Sequence, residues 1–300
     1  MRPAFSVLFL TTLIGAGQGM FIALFFCELL APERASPIFL AGGAALVLVL
    51  CGLGLIASFF HLGHPERAWR AATMWRTSWL SREVIALPAF MAAAFAYGVA
   101  HYTGVPGTLA LGMIGVVLAL TLFVCTGMIY AAIRVLKEWA HPLTVVNFIL
   151  LGMASGVMLA AAYGAFAAPE LAAALARMAF LATVLAAVTR GAALIRNARL
   201  SPFSTMQSAL GIRHPRIVQK SQGAMGGSYN TREYFHGKSP EFVRGLIPAF
   251  ILASFVLPLA LVASLPLLAF LIQYGGLLAE RWFFFAEARH PQNLYYQTVG

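Results

Sequence analysis

The chain has 300 residues, of which 61% are hydrophobic and only 10% charged, against about 25% in an ordinary soluble domain. With a mean hydropathy of +0.83, this composition excludes a soluble enzyme, a disordered chain and a disulfide-stapled secreted module, and reads as a polytopic membrane protein. The formal charge is +10 and all ten acids are Glu, which excludes Asp-based triads, Asp-ligated metals and aspartyl-phosphate chemistry.

A bilayer core about 30 Å thick needs about 20 apolar residues per helix. The charge-free runs predict an all-α bundle of eight transmembrane helices, one integral membrane domain over residues 1–300. Spans one and two fall at about 5–30 and 38–60. The opening Met1-Arg2-Pro3 has the flavour of a signal peptide. The apolar run behind it is too long for one and carries no small-x-small cleavage site, so the first span is expected to be retained. Residues 84–133 suffice for two spans, and His101 to Gly107 has the composition of a turn. Spans three and four are therefore about 83–100 and 108–133. Span five is about 142–167. Span six, about 172–195, carries Arg177 and Arg190 near its ends, from where they are expected to snorkel. Residues 245–279 are again free of charge. Ser264 and Pro266 supply a cap and a first-turn proline, dividing this stretch into spans at about 245–263 and 266–285.

Eight spans put both termini on one side. On that reading, 18 of the 20 basic residues share the terminal side, and only Arg34 and Arg177 lie opposite. The positive-inside rule then places both termini in the cytoplasm. A basic surface that docks a large partner would give the same clustering, so the two causes stand side by side. The one sizeable polar segment, about 197–242, is too short for an enzyme domain. It runs from Gly211 to His236 as a Gly-rich, basic, aromatic stretch without a GK[ST] phosphate loop. It suits protein docking, as Arg and Tyr are interface residues, better than nucleic acid.

Chemistry concentrates between spans two and three, in His61-Leu62-Gly63-His64-Pro65-Glu66-Arg67 followed by Ser78-Trp79-Leu80-Ser81-Arg82-Glu83. His61 closes one helix. Ser81 is the expected N-cap of the next, with Glu83 in its first turn. An imidazole and a carboxylate at the hydrocarbon boundary suit a lipid-soluble ligand that takes and gives protons, and a quinone is such a ligand. Trp75 and Trp79 would pack on its ring, with His64 and Arg82 as further candidates for the pocket. The plainer alternative is a helix-dipole partner, a helix-end His and an interfacial Trp belt.

The seven histidines lie at helix ends or in loops rather than at mid-span, so no haem is expected. Cys27, Cys51 and Cys125 sit in apolar runs without a CxxC. They hold no iron–sulfur cluster and read as small apolar residues. No metal is expected in the chain. Gln18, among Gly15, Gly17 and Gly19, either lines a cavity or makes one interhelical hydrogen bond. Glu28 is expected at the interface.

The segment from His61 to Glu83, read as HLGxPxRA…SxLSxE, resembles the membrane anchor subunits of DMSO reductase-type molybdopterin oxidoreductases. So do the stretch IRHPRIVQKSQGAMGGSYNTREYF and the tail FFAEARHPQNLYY. The resemblance implies a complex of three subunits in the bacterial inner membrane. A molybdopterin catalytic subunit and an iron–sulfur subunit would join this anchor, which exchanges electrons with ubiquinone or menaquinone. The family's quinone-site His and Glu fall on His61 and Glu83. Relatives serve DMSO and similar oxide reductases, oxidising quinol, or sulfite dehydrogenases. An iron–sulfur partner docked on a cytoplasmic face favours sulfite oxidation with quinone reduction. From a different class, a small-molecule transporter would instead show polar or broken helices near the midplane.

Overall fold

Ser36 opens the second helix by accepting a hydrogen bond from the Phe39 amide, with Pro37 in the first turn. His141 and Pro142 do the same for the fifth. Such caps, placed between long apolar runs, define most of the helix starts. The computed structural model describes residues 5–60, 62–201, 205–217 and 239–288, and no strand occurs among them. The long helices are α1 (Phe5–Leu30), α2 (Pro37–Phe59), α3 (Trp79–Thr103), α4 (Thr108–Ala131), α5 (Pro142–Ala167) and α6 (Pro169–Ala198). These six are long and apolar enough to cross a membrane. The chain is an all-helical, multi-pass membrane protein. A run of 3₁₀ turns, Pro65–Met74, lies between α2 and α3. The short α7 (Met206–Leu210) follows α6.

α3 differs from expectation at both ends. It starts at Trp79 because Ser78, not Ser81, is the cap: the Ser78 hydroxyl accepts from the Ser81 amide. Glu83 therefore sits in the second turn. At the other end α3 continues through His101 to Thr103, and Gly104 stops it in the left-handed region at φ 71°, where glycine carries no Cβ penalty.

α8 (Pro240–Ile251) passes through a π-helical turn, Leu252–Val256, into α9 (Leu257–Leu261), and α10 (Pro266–Ala286) returns beside them. The irregular turn has a local cause. Pro258 has no N–H to offer the Ser254 carbonyl, and that carbonyl accepts Gln273 Nε2 from α10 instead. Gln273 Nε2 also reaches Thr183 Oγ1 of α6 at 3.1 Å. One side-chain amide thus ties three helices where a proline has freed a carbonyl. The cap of α10 is Leu265 rather than Ser264, whose hydroxyl donates back to Leu261 O.

α1 and α5 form the centre of the bundle, and α2, α4 and α10 all pack on α1. Their crossing is glycine-lined. A Cβ on Gly19 would run into the Gly152 backbone, and one on Gly156 into the backbone of Gly19 and Met20. Lipid tails are as apolar as leucine, so helix association rests on such close contact. Gly156→Val should cost about 1–3 kcal/mol by overpacking, read as a lower Tm of the purified protein in detergent. Gly52→Ala, which meets nothing within 4 Å, should leave Tm unchanged.

Candidate functional site

The connection into α3 is held by its own arginines. Arg82 donates from Nε to Trp75 O at 2.9 Å and from Nη2 to Arg76 O at 2.8 Å. Its guanidinium also lies 4.1 Å over the Trp79 ring. Arg76 stands over Trp75 at 5.4 Å. His64 is exposed and meets Glu66 Oε1 at 3.1 Å. In this arrangement Arg82 satisfies the carbonyls that end the 3₁₀ run, and both tryptophans present a face to an arginine. His61 lies outside the described residues.

Glu83 points the other way, into the bundle. Thr126 of α4 donates its hydroxyl to Glu83 Oε1 at 2.5 Å. Both line a cleft among α1, α3, α4 and α5, with Thr11, Gln18, Phe123 and Phe148 around them. The cleft measures about 280 Å³ with its mouth included, near the lower end of ligand-pocket sizes, about 300 Å³ upwards. Its walls are aromatic and aliphatic, and its polar groups are a carboxyl, hydroxyls and an amide. Gln18 satisfies both of its alternatives: it lines this cleft and donates to Ala119 O at 2.7 Å. The structure does not bring His64, Trp75, Trp79 or Arg82 into the cleft.

Residues 1–211 match the DMSO reductase anchor subunit family. The chain belongs to this family. It is also similar to a sulfite dehydrogenase subunit of Allochromatium vinosum, 52% identical over 325 aligned positions that cover 100% of each chain. Every residue lining the Glu83 cleft, from Leu10 to Phe148, falls inside the family match. α8, α9 and α10 fall outside it.

This anchor subunit also holds two buried polar clusters that its sequence did not disclose. Arg190 does not snorkel: it is 2% exposed. Its Nε lies 2.7 Å from Glu280 Oε1 and its Nη1 3.4 Å from Glu287 Oε1. Glu280 is 1% exposed, and Arg281 beside it stands 3.9 Å over the Phe148 ring. Asn197 Nδ2 donates to Glu287 Oε1 at 3.0 Å. The signal was a Glu-Arg pair late in an apolar helix and one arginine inside another. Nothing in the sequence paired residues 90 positions apart.

The second cluster corrects Glu28, which is 8% exposed rather than interfacial. Its carboxylate accepts from Tyr97 at 2.7 Å and Thr108 at 2.5 Å, with His101 Nε2 at 3.4 Å. It knots the ends of α1, α3 and α4 at the end of the bundle away from Glu83.

Among the described residues, no group of three or more His, Cys or Glu side chains is placed to hold a metal ion. At the mouth of the α6–α10 cluster, burial and then Arg196 hold His141 below its ordinary pKa. That suits its Nδ1 as the acceptor capping α5. Arg190→Met would leave Glu280 and Glu287 buried without their cation. It should cost about 3–5 kcal/mol, seen as a large fall in Tm, and adding Glu280→Gln should restore part of the loss.

Proposed function

We propose that this chain is the quinone-reactive anchor of a three-subunit oxidoreductase. It passes electrons between an iron–sulfur subunit and the quinone pool while a molybdopterin subunit holds the substrate. The observation that carries the reading is Glu83, a carboxyl held by Thr126 in a cleft within the helical layer, in a chain of the DMSO reductase anchor subunit family. Ionisable groups at that depth are costly and mark functional paths by default. The donor set fits a quinone headgroup, whose carbonyls accept hydrogen bonds and whose ring matches Phe123 and Phe148; the tail stays in lipid. His61 is the second site residue on this reading, and His64, Trp75, Trp79 and Arg82 border the approach.

Quinone supplies two-electron, two-proton carrier chemistry. In this chain Glu83 holds and hands over the proton, and Thr126 orients it. The name of the Allochromatium vinosum relative supports sulfite oxidation with quinone reduction. The membrane is the bacterial inner membrane. Spans seven and eight, at about 245–263 and 266–285, complete an eight-span domain with both termini in the cytoplasm. The basic segment of about 197–242 receives the iron–sulfur partner on that face. The clustering of 18 of 20 basic residues on one side supports this orientation.

The purified complex should reduce quinone in a sulfite-dependent manner. Quinol-driven DMSO reduction without sulfite activity would overturn that direction. Glu83→Gln should leave assembly intact and slow quinone turnover about 100-fold, as loss of a positioned acid–base group does. A reporter fused after Gly300 should signal cytoplasm, and a periplasmic signal would overturn the span count or the orientation.

A further inference from the structure

Phe148 of α5 is a wall of two clefts. On one side lies the Glu83 cleft. On the other is a cleft among α5, α6 and α10, about 330 Å³ with its mouth included. Four side chains of this second cleft are more than nine-tenths buried, yet each has an atom without a hydrogen-bond partner among the described residues. These atoms are Asn147 Oδ1, Arg190 Nη2, Glu280 Oε2 and Arg281 Nε. Unmet, each costs about 1–3 kcal/mol. They comprise donors and acceptors together, and a buried water takes two to four such partners.

Tyr130 stands at the partition. Its ring stacks on Phe148 with centroids 5.3 Å apart. It lies one helical turn beyond Thr126, on the same side of α4, and it feels the charges of both Glu83 and Arg281.

We propose that the α5–α6–α10 cleft holds bridging water and is the proton-uptake route for the quinone chemistry at Glu83, with the Tyr130 hydroxyl as the link across the Phe148 partition. The proposal rests on the quinone-reactive reading of Glu83 and gives that site its proton source. The alternative source is the α2–α3 connection.

The outer end of the cleft is suited to the task. The groups facing it are Glu138 and His141 ahead of α5, Arg190 and Arg196 on α6, and Glu280 and Arg281 of α10 with Glu287 at its end. Burial pushes the Glu287 carboxyl up from the ordinary carboxylate range, against the opposing pull of Arg190 and Asn197. It therefore exchanges protons closer to neutral pH than a surface carboxylate does. Reduction of one quinone takes two electrons from the iron–sulfur partner and two protons. Each new O–H bond at a quinone oxygen takes its proton from the Glu83 carboxyl, whose own O–H breaks. The resulting carboxylate takes a proton from the Tyr130 hydroxyl. Cleft water reprotonates Tyr130 and is itself resupplied through Glu287 from the aqueous face. Quinol oxidation runs the same path outward.

The test measures quinone reduction by the purified complex, with kcat, KM and the solvent deuterium isotope effect, for Glu83→Gln, Tyr130→Phe, Asn147→Leu and Asn147→Ser. Tyr130→Phe keeps the aromatic stack and removes only the hydroxyl. It should lower kcat about tenfold or more with KM unchanged, and enlarge the isotope effect. Asn147→Leu should slow turnover, and Asn147→Ser, which keeps an acceptor, should recover part of the rate. Wild-type kcat and isotope effect in Tyr130→Phe and Asn147→Leu, with Glu83→Gln still slow, would overturn the proton route and leave the quinone site standing. A Tyr130→Phe variant with raised KM and unchanged kcat would also overturn it, making Tyr130 a binding residue. Unchanged turnover in Glu83→Gln would remove the quinone reading itself.

Discussion

Backbone contact between α1 and α5 sets the geometry on which everything else hangs. Where Gly19 and Gly156 meet, the helices are too close for a Cβ. α1 and α5 thereby become a central pair onto which α2, α4, α6 and α10 pack. The crossing brings Thr11 and Gln18 of α1 opposite Phe148 of α5 and leaves a gap that Glu83 and Thr126 enter from α3 and α4. In lipid there is no hydrophobic drive between helices beyond shape, so a wider crossing would loosen this gap along with the bundle.

The second organising constraint is that polar groups at membrane depth find their partners inside the protein. Each cluster is built across helices. Gln273 takes up the carbonyl that Pro258 leaves open. Glu28 gathers Tyr97, Thr108 and His101. Arg190 stands between Glu280 and Glu287. Such pairs add little net stability over apolar packing, but removing one partner is severe. They therefore act as register pins, holding α10 to α6 and α1 to α3 in one rotational setting.

The candidate site was legible to different depths. Glu83 stood out because a lone acid opening an apolar run has few roles. The loop residues around it were legible as a group but not in their placement. Trp79 and Arg82 stack on each other, and Arg82 bonds the loop carbonyls. Thr126 gave no signal at all, because a threonine inside an apolar helix usually bonds its own preceding turn. It takes a role here only because α4 is rotated to present it to Glu83. Arg190 was misjudged for a related reason: an arginine near a helix end reaches water by default, unless a carboxylate on another helix lies within reach.

From the amino-acid order alone followed the class of the protein, the existence of its apolar helices, the caps that begin several of them and the prominence of Glu83. These are properties of single segments, set by hydropathy, by Pro and Ser at helix starts, and by the rarity of charge. Tertiary structure decided which face each helix turns inward, and so which polar residues meet. A hydropathic run states that a helix spans but is nearly silent about its rotation, because lipid-facing and core-facing positions are both apolar. The pairing of Arg190 with Glu280, the meeting of Glu83 with Thr126 and the Phe148 wall shared by two clefts all depend on that rotation.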